Sequence, residues 1–252
     1  MMTDILLCGC TGKMGRVVAE LAAKRDDCQV IAGVDINNDP SIGFPVYPAA
    51  AEFTGKADVI IDFSHPSALE TLLQYAVVSQ TPVVVATTGL GNDQLDLVHA
   101  ASERIPVFFS ANMSIGVSLI TELAEKATRV LGGSFDIEIV EKHHNQKIDA
   151  PSGTALMLAN AIADELENTP DYEYNRHAKR APRGKNEIGI HAVRGGTITG
   201  EHEIIFAGHD EIVTISHSAR SKQIFAAGAV NAAFFIKSKP VGLYAMKDLV
   251  AE

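Results

Sequence analysis

Cysteine is scarce in this 252-residue chain: Cys8, Cys10 and Cys28 are an odd number with no CxxC pair. That excludes a disulfide framework and points to a reducing compartment. A basic excess is also missing. Lys and Arg number 21 against 31 Asp and Glu, a net charge of −10, whereas nucleic acids and anionic membranes reward the opposite sign. No apolar run is long enough to span a bilayer. The longest, residues 224–236, has 13 residues, includes Asn231 and reads as a buried helix. Met1-Met2-Thr3-Asp4 lacks the basic and apolar regions of a secretory leader, so a cytoplasmic protein is expected. No internal repeat or low-complexity segment stands out. What remains, 46% hydrophobic and 21% charged residues, is an ordinary globular composition with enough chain for a sizeable core.

The first half has a rhythm. Residues 5–8, 30–34, 59–61, 83–85 and 107–109 read as apolar strands. Helical patterns stand between them, at residues 14–22, 66 to about 78, and 92 to about 102. Such alternation is the signature of a parallel sheet covered on both faces. After about Gly116 the rhythm changes. Residues 117–131 read as a long helix ended by Gly132-Gly133. Residues 135–141, 187–193, 201–206 and 211–216 alternate apolar with polar, as strands with one solvated face do. The fold class is therefore α/β, with an N-terminal Rossmann-like dinucleotide-binding domain and a smaller α+β domain carrying an open mixed sheet. Residues 169–185, polar with five Lys or Arg, read as a solvated mobile connector, the alternative being a grip on an anionic ligand.

The first strand runs into Gly9-Cys10-Thr11-Gly12-Lys13-Met14-Gly15, a GxxGxxG variant of the dinucleotide fingerprint. Glycines there allow a tight turn, close approach of a pyrophosphate, and close packing of helix on strand. The helix start offers unpaired N–H groups to the phosphates. Asp35 ends the second strand 20 residues after Gly15, where a carboxylate accepts a hydrogen bond from a ribose 2′-OH. Asp35 would repel a 2′-phosphate, and no Arg follows it in Ile36-Asn37-Asn38, although Lys13 lies near the same edge. NADH or NADPH is the expected cofactor, with NADH preferred. Thr87-Thr88-Gly89 and residues 112–116 end the fourth and fifth strands, where such folds seat the nicotinamide.

The densest chemistry is the run from Glu141 to Thr154, EKHHNQKIDAPSGT. It follows a strand and enters a helix over residues 155 to about 166. Ser152 is the expected N-cap, and Gly153 and Thr154 fall in the first turn, whose N–H groups bind a carboxylate well. His143, His144 and Lys147 precede that helix start. An imidazole exchanges protons near neutral pH, and an ammonium holds a carboxylate or donates a proton. The run therefore describes an anion-binding, proton-donating site. His143, His144, His191 and His202 are candidate metal ligands, but no CxxC or HExxH spacing supports zinc, and no metal is expected.

These residues carry a family resemblance. The glycine turn, Asp62-Phe63-Ser64-His65-Pro66, Thr87-Thr88-Gly89, Asn112-Met113-Ser114-Ile115-Gly116-Val117 and, most specifically, the HHxxKxDAPSGTA run resemble dihydrodipicolinate reductases, from Gly9 to Met246. The resemblance implies reduction of a cyclic, conjugated imine dicarboxylate to tetrahydrodipicolinate by NADH or NADPH, in lysine and diaminopimelate synthesis. It implies proton transfer by His143 and Lys147, and substrate binding by His144, Gly153 and Thr154. It implies cofactor contacts at Gly9, Cys10, Thr11, Gly12, Lys13, Met14, Asp35, Ala86, Thr87, Thr88, Ser110, Ala111, Asn112 and Met113. Ala86 stands where the family usually has glycine, and Lys222 where it usually has arginine. The nucleotide domain would comprise residues 1–113 and 222–252. Residues 114–221 would bind substrate and assemble a homotetramer through their sheet, and the domains would close for hydride transfer. The alternatives are another nicotinamide-dependent dehydrogenase of a dicarboxylate, and a dinucleotide sensor without turnover.

Overall fold

The computed structural model describes residues 2–251. The chain forms two compact units, Met1–Ile115 with Lys222–Glu252, and Gly116–Ser221. In chain order the first contains β1 (Thr3–Cys8), α1 (Lys13–Ala22), β2 (Cys28–Val34), β3 (Val46–Tyr47), β4 (Val59–Asp62), α2 (Leu69–Ser79), β5 (Val83–Val85), α3 (Asn92–Ser102) and β6 (Pro106–Phe109). Next come α4 (Ile115–Leu131), β7 (Asp136–His143), α5 (Gly153–Asp164), β8 (Asp171–Glu173), β9 (Glu187–Arg194), β10 (Gly200–Ala207) and β11 (Ile212–Ala219). Finally α6 (Gln223–Ile236), β12 (Gly242–Tyr244) and α7 (Met246–Val250) complete the first unit.

The first sheet has seven strands in the order β12-β6-β5-β4-β1-β2-β3, every pair parallel. Its central strands are apolar on both faces, and each face has its own core. Ile5 and Leu7 pack with Val18 and Ala22 of α1 and with Ala229, Val230 and Ala233 of α6. Leu6 and Ile60 pack with Leu69, Leu72 and Leu73 of α2 and with Val98 of α3. The strand order reverses beside β1, where α/β sheets of this kind bind ligands beyond their strand ends.

The second sheet is mixed, in the order β11-β10-β7-β9-β8. β10 is antiparallel to both β11 and β7, whereas β9 is parallel to β7 and β8. One face buries Ile137, Ile139, Ile188, Ile190, Ile204 and Phe206 against Ile120 and Ala124 of α4 and Leu158 and Ile162 of α5. The other face carries Val140, Ile205 and Thr214, which are half-exposed or exposed. Period-two alternation in β7 and β10 follows directly from this one-sided burial.

Several boundaries differ from the sequence reading. Pro66–Ala68 form a separate 3-10 turn before α2, with proline at its first position, where the missing N–H would have had no partner. β7 continues to His143, which is therefore a strand residue and not part of the following loop. β3, β8 and β12 are two or three residues long, too short to show a period. The segment 169–185 is not a plain solvated connector. It contributes β8 and a 3-10 turn at Arg176–Ala178. Its Arg176 pairs with Glu187 and its Lys179 with Glu173, while Arg183 bonds Asp136 at 2.9 Å and Glu138 at 3.0 Å. Three of its cations are thereby tied to acids of the same unit.

Candidate active site

In the first unit, the residues singled out in the sequence gather at the C-terminal ends of the parallel strands. Gly9 follows β1 at φ +72°, and its N–H bonds Val34 O at 2.8 Å. α1 starts after Gly12, whose position offers no side-chain cap, and its first turn has no acid. Its leading N–H groups are thus left for an anion. Gly15 permits the tight packing of helix on turn: a Cβ there would lie 2.2 Å from Gly9 O and 2.7 Å from Cys10 Cα. Asp35 is anchored at both carboxylate oxygens, by Thr11 N at 3.0 Å and Asn37 N at 3.1 Å. Each oxygen retains a lone pair for a hydroxyl. This chain's own residues therefore fit a dinucleotide.

One residue at this edge escaped the sequence reading. Arg16 Nε donates to Thr11 O at 2.9 Å and Nη2 to Asp39 Oδ2 at 2.6 Å. Asp39 also accepts from Ser41, and its carboxyl is lowered to about 2, first by the Ser41 side chain and then by Arg16. The guanidinium is thus already neutralised.

The other strand ends present less side chain than the sequence suggests. Cys10 is fully buried, its sulfur lying 2.4 Å from where a Gly33 Cβ would be. Ala86 and Met113 lie in the core, so the Ala86 methyl fits among buried apolar neighbours. The Thr87 hydroxyl is buried between Asp62 Oδ2, at 2.7 Å, and Ser64 O, at 3.1 Å. Thr88 and Ala111 are exposed. Ser110 Oγ donates to Asn112 O at 2.7 Å, and Asn112 Oδ1 accepts from Ser114 N at 2.9 Å, which shapes that loop internally.

In the second unit, His143, His144, Lys147, Gly153 and Thr154 lie between the end of β7 and the start of α5. His143 faces inward, with 8% of its surface exposed. Its carbonyl accepts from Gly195 N at 2.9 Å, and Asn145 N donates to Gly196 O at 3.2 Å, which braces the loop against the segment after β9. The chain then turns sharply, with Lys147 N on His144 O at 3.2 Å. Lys147 Nζ is 2.8 Å from Asp149 Oδ1, and this contact, first among the causes, lowers the Asp149 carboxyl. Ser152 caps α5, its hydroxyl accepting from Ala155 N at 3.2 Å. Gly153 is exposed with open space where a side chain would stand.

Behind these residues is a buried polar cluster that spacing alone does not disclose. Glu141 is completely buried. It accepts from His143 Nδ1 at 2.6 Å, from both terminal nitrogens of Arg194 at 2.7 Å, and from Ser152 N at 3.0 Å. Burial opposes its charge, but Arg194 and then His143 outweigh it, and the carboxyl is held below its ordinary value. His202 lies edge-on to His143 at 5.3 Å between ring centres, with Nε2 3.0 Å from Ser152 Oγ. Burial first, then the nearby His143, lowers His202 to about 4, so it is neutral at neutral pH. Lys147 is the last among the charges that lower the same ring. Arg194 Nε and His202 Nδ1 are buried without a protein partner, as polar atoms at binding sites often are. Of the four histidines weighed as metal ligands, His191 bonds Glu138 at 2.8 Å. Among the described residues no cluster of three His, Cys, Asp or Glu is placed to hold a metal ion.

A signal for Glu141 was present: the period of FDIEIVEKH puts it on the same face as Ile137, Ile139 and His143. Arg194, from another strand, had none, and His202 was weighed only as a metal ligand.

A parallel sheet with a dinucleotide-binding turn, joined in one chain to a cluster of imidazoles, an ammonium and an open helix start, is the architecture of an NAD(P)H-dependent oxidoreductase. Comparison with known proteins narrows the class. Residues 3–113 match the family "Dihydrodipicolinate reductase, N-terminus", and residues 116–250 match "Dihydrodipicolinate reductase, C-terminus". The chain belongs to the dihydrodipicolinate reductase family. A 4-hydroxy-tetrahydrodipicolinate reductase of Caldanaerobacter subterraneus subsp. tengcongensis is 53% identical over 99% of both chains. One from Clostridium tetani is 46% identical over 98% of this chain and 96% of its own. The dipicolinate-bound dihydrodipicolinate reductase of Paenisporosarcina sp. TG-14 superimposes with a TM-score of 0.81 at 25% identity, covering 98% of this chain and 99% of that one.

Proposed function

We propose that this enzyme reduces 4-hydroxy-tetrahydrodipicolinate, or the dihydrodipicolinate formed by its dehydration, to tetrahydrodipicolinate in lysine and diaminopimelate biosynthesis. The observation that carries the reading is the cluster at the start of α5, where an imidazole, an ammonium and an open helix N-terminus stand together. The relatives named for this reaction, and the neighbour solved with dipicolinate, support it.

Residues 1–113 and 222–252 hold the dinucleotide, through the turn from Gly9 to Met14, Asp35, the backbone at Ala86–Thr88 and the loop from Ser110 to Met113. The bound nicotinamide supplies a hydride. Residues 114–221 hold the substrate. The N–H groups of Gly153 and Thr154, with His144, bind its carboxylates. His143 and Lys147 deliver the single proton that balances the hydride, and one water leaves when the substrate is the hydroxylated form. NADH is the preferred cofactor, since Asp35 accepts a ribose hydroxyl and Arg16, tied to Asp39, is not free to neutralise a 2′-phosphate. The enzyme works in the cytoplasm. Among the described residues no helix is long and apolar enough to cross a membrane.

The chain assembles as a homotetramer through the uncovered face of the second sheet. Val140 and Ile205 sit at its centre. The charges beside them are already paired, Lys142 with Glu201 at 3.3 Å and His191 with Glu138 at 2.8 Å.

The test mixes the protein with NADH and the freshly made condensation product of pyruvate and aspartate semialdehyde. Rapid loss of nicotinamide absorbance is expected. Lys147→Ala should lower kcat by roughly 100-fold or more, in line with loss of a general acid, and leave NADH affinity unchanged. Replacing NADH by NADPH should raise the cofactor KM. Tight NADH binding without turnover would point instead to another dicarboxylate or to a sensor.

A further inference from the structure

Glu141 has no part in the proton transfers just described, yet it is the most deeply buried ionisable side chain of the second unit. It is a fully buried carboxylate at the inward-facing end of β7. An ionised carboxylate only accepts hydrogen bonds. Here Oε2 accepts from His143 Nδ1 at 2.6 Å and Arg194 Nη1 at 2.7 Å. Oε1 accepts from Arg194 Nη2 at 2.7 Å and Ser152 N at 3.0 Å. Arg194 Nη2 reaches on to Asp149 O at 2.6 Å. One carboxylate thus joins the imidazole on β7, the cap residue of α5, the end of β9 and the loop carrying Lys147.

We propose that Glu141 is the positioning residue of this active site, fixing the ring orientation and tautomer of His143 and holding the start of α5 in register with it. The proposal rests on the assignment of proton transfer to His143. Because Glu141 can only accept, the neutral His143 ring must carry its proton on Nδ1. Nε2 is then the nitrogen that exchanges protons with substrate. Gly200 of β10 packs against this edge of the ring, and a Cβ there would stand 3.0 Å from Nε2 and crowd it. Arg194 has two tasks. Its paired donors prevent Glu141 from rotating, and its charge compensates the burial of the carboxylate, so that Glu141 remains an acceptor throughout the cycle. An aspartate or glutamate behind a catalytic histidine does comparable work in hydrolases, where the amide substitute selects the wrong tautomer.

The experiment uses the full chain labelled with 15N-histidine, at a pH where the His143 ring is neutral. Its ring nitrogens are identified by their loss in His143→Asn, and their shifts report which one carries the proton. The wild-type protein should show Nδ1–H with Nε2 unprotonated. In Glu141→Gln the side-chain amide faces Nδ1, so the proton should move to Nε2. kcat should fall at least 100-fold while NADH KM stays within about two-fold. A wild-type ring protonated on Nε2 would overturn the proposal. So would a folded Glu141→Gln variant that keeps the Nδ1–H tautomer or retains wild-type kcat despite a lower melting temperature. Should Glu141→Gln fail to fold, the wild-type tautomer alone decides. Failure of the wild-type enzyme to oxidise NADH would count against the assigned reaction, and the tautomer would still report on Glu141.

Discussion

Asp62 ends β4 with no exposed surface, and two strand-end loops depend on it. Its Oδ1 accepts from Ser64 N at 2.9 Å and its Oδ2 lies 2.7 Å from Thr87 Oγ1. The Thr87 hydroxyl has one proton but two acceptors, Asp62 and Ser64 O. A protonated Asp62 satisfies both: it donates to Thr87, and Thr87 donates to Ser64. Burial raises the Asp62 carboxyl above its ordinary value despite the bonds from Ser64 and Thr87. A carboxyl raised on folding binds its proton more tightly in the native state. Its contribution to stability is therefore fully kept in acid and declines as pH rises through the raised value. Asparagine reproduces every one of these hydrogen bonds without the charge. Asp62→Asn should melt above the parent protein in mildly alkaline buffer, and the advantage should vanish as pH falls toward about 4, the ordinary carboxylate range. Thermal melts across pH check this, and a parent protein that is more stable in alkali would contradict it.

At the scale of elements, α5 is the helix on which the proposed substrate site depends. It buries Ala155, Leu158, Ala159 and Ile162 against the second sheet, and its opposite end is fixed by Ser152. The hydroxyl of Ser152 caps the Ala155 N–H and meets His202 Nε2, while its own N–H is held by Glu141. Ser152→Ala removes the first two bonds and keeps the third. The loss should be about 1–3 kcal/mol, from an uncapped helix and an unpaired buried nitrogen. Because the change sits where carboxylates are proposed to bind, substrate KM should rise and NADH KM should not. Denaturant unfolding and steady-state kinetics measure the two effects separately.

At the scale of the whole molecule, the open face of the second sheet carries apolar side chains that its own unit leaves exposed. Ile205 on β10 is aligned with Thr214 of β11 and Glu138 of β7. Val193 and Ile212, 44% and 68% exposed, extend the apolar surface on either side. Burying a lysine there without a partner would cost more than the contact gains. Ile205→Lys should therefore break the proposed homotetramer into smaller species by analytical ultracentrifugation, with the far-UV circular dichroism unchanged. An unaltered sedimentation coefficient would move the assembly surface elsewhere.

Much of this was legible in the order of residues. Continuous apolar strands and helices of regular period declare a parallel sheet, because both faces of such a sheet must be covered. The glycine turn, Asp35 and the HHxxKxDAPSGT run declare local chemistry, because a turn, a cap and a helix start are built from neighbours in the chain. The change from continuous to alternating strands near Gly116 marks where one kind of sheet gives way to another. The partners of those residues were not legible. Arg194 stands 53 residues from Glu141, His202 stands 50 from Ser152, and Thr87 stands 25 from Asp62. Which side chains meet across strands is set by sheet order and register, and those follow from packing the whole chain. Tertiary structure likewise turned Thr87 and Cys10 inward, matched three of the five basic residues of segment 169–185 with acids, and made Glu141 the buried centre of the second unit's polar cluster. A buried charge is tolerated only where several distant groups arrive together, and a linear sequence does not record that meeting.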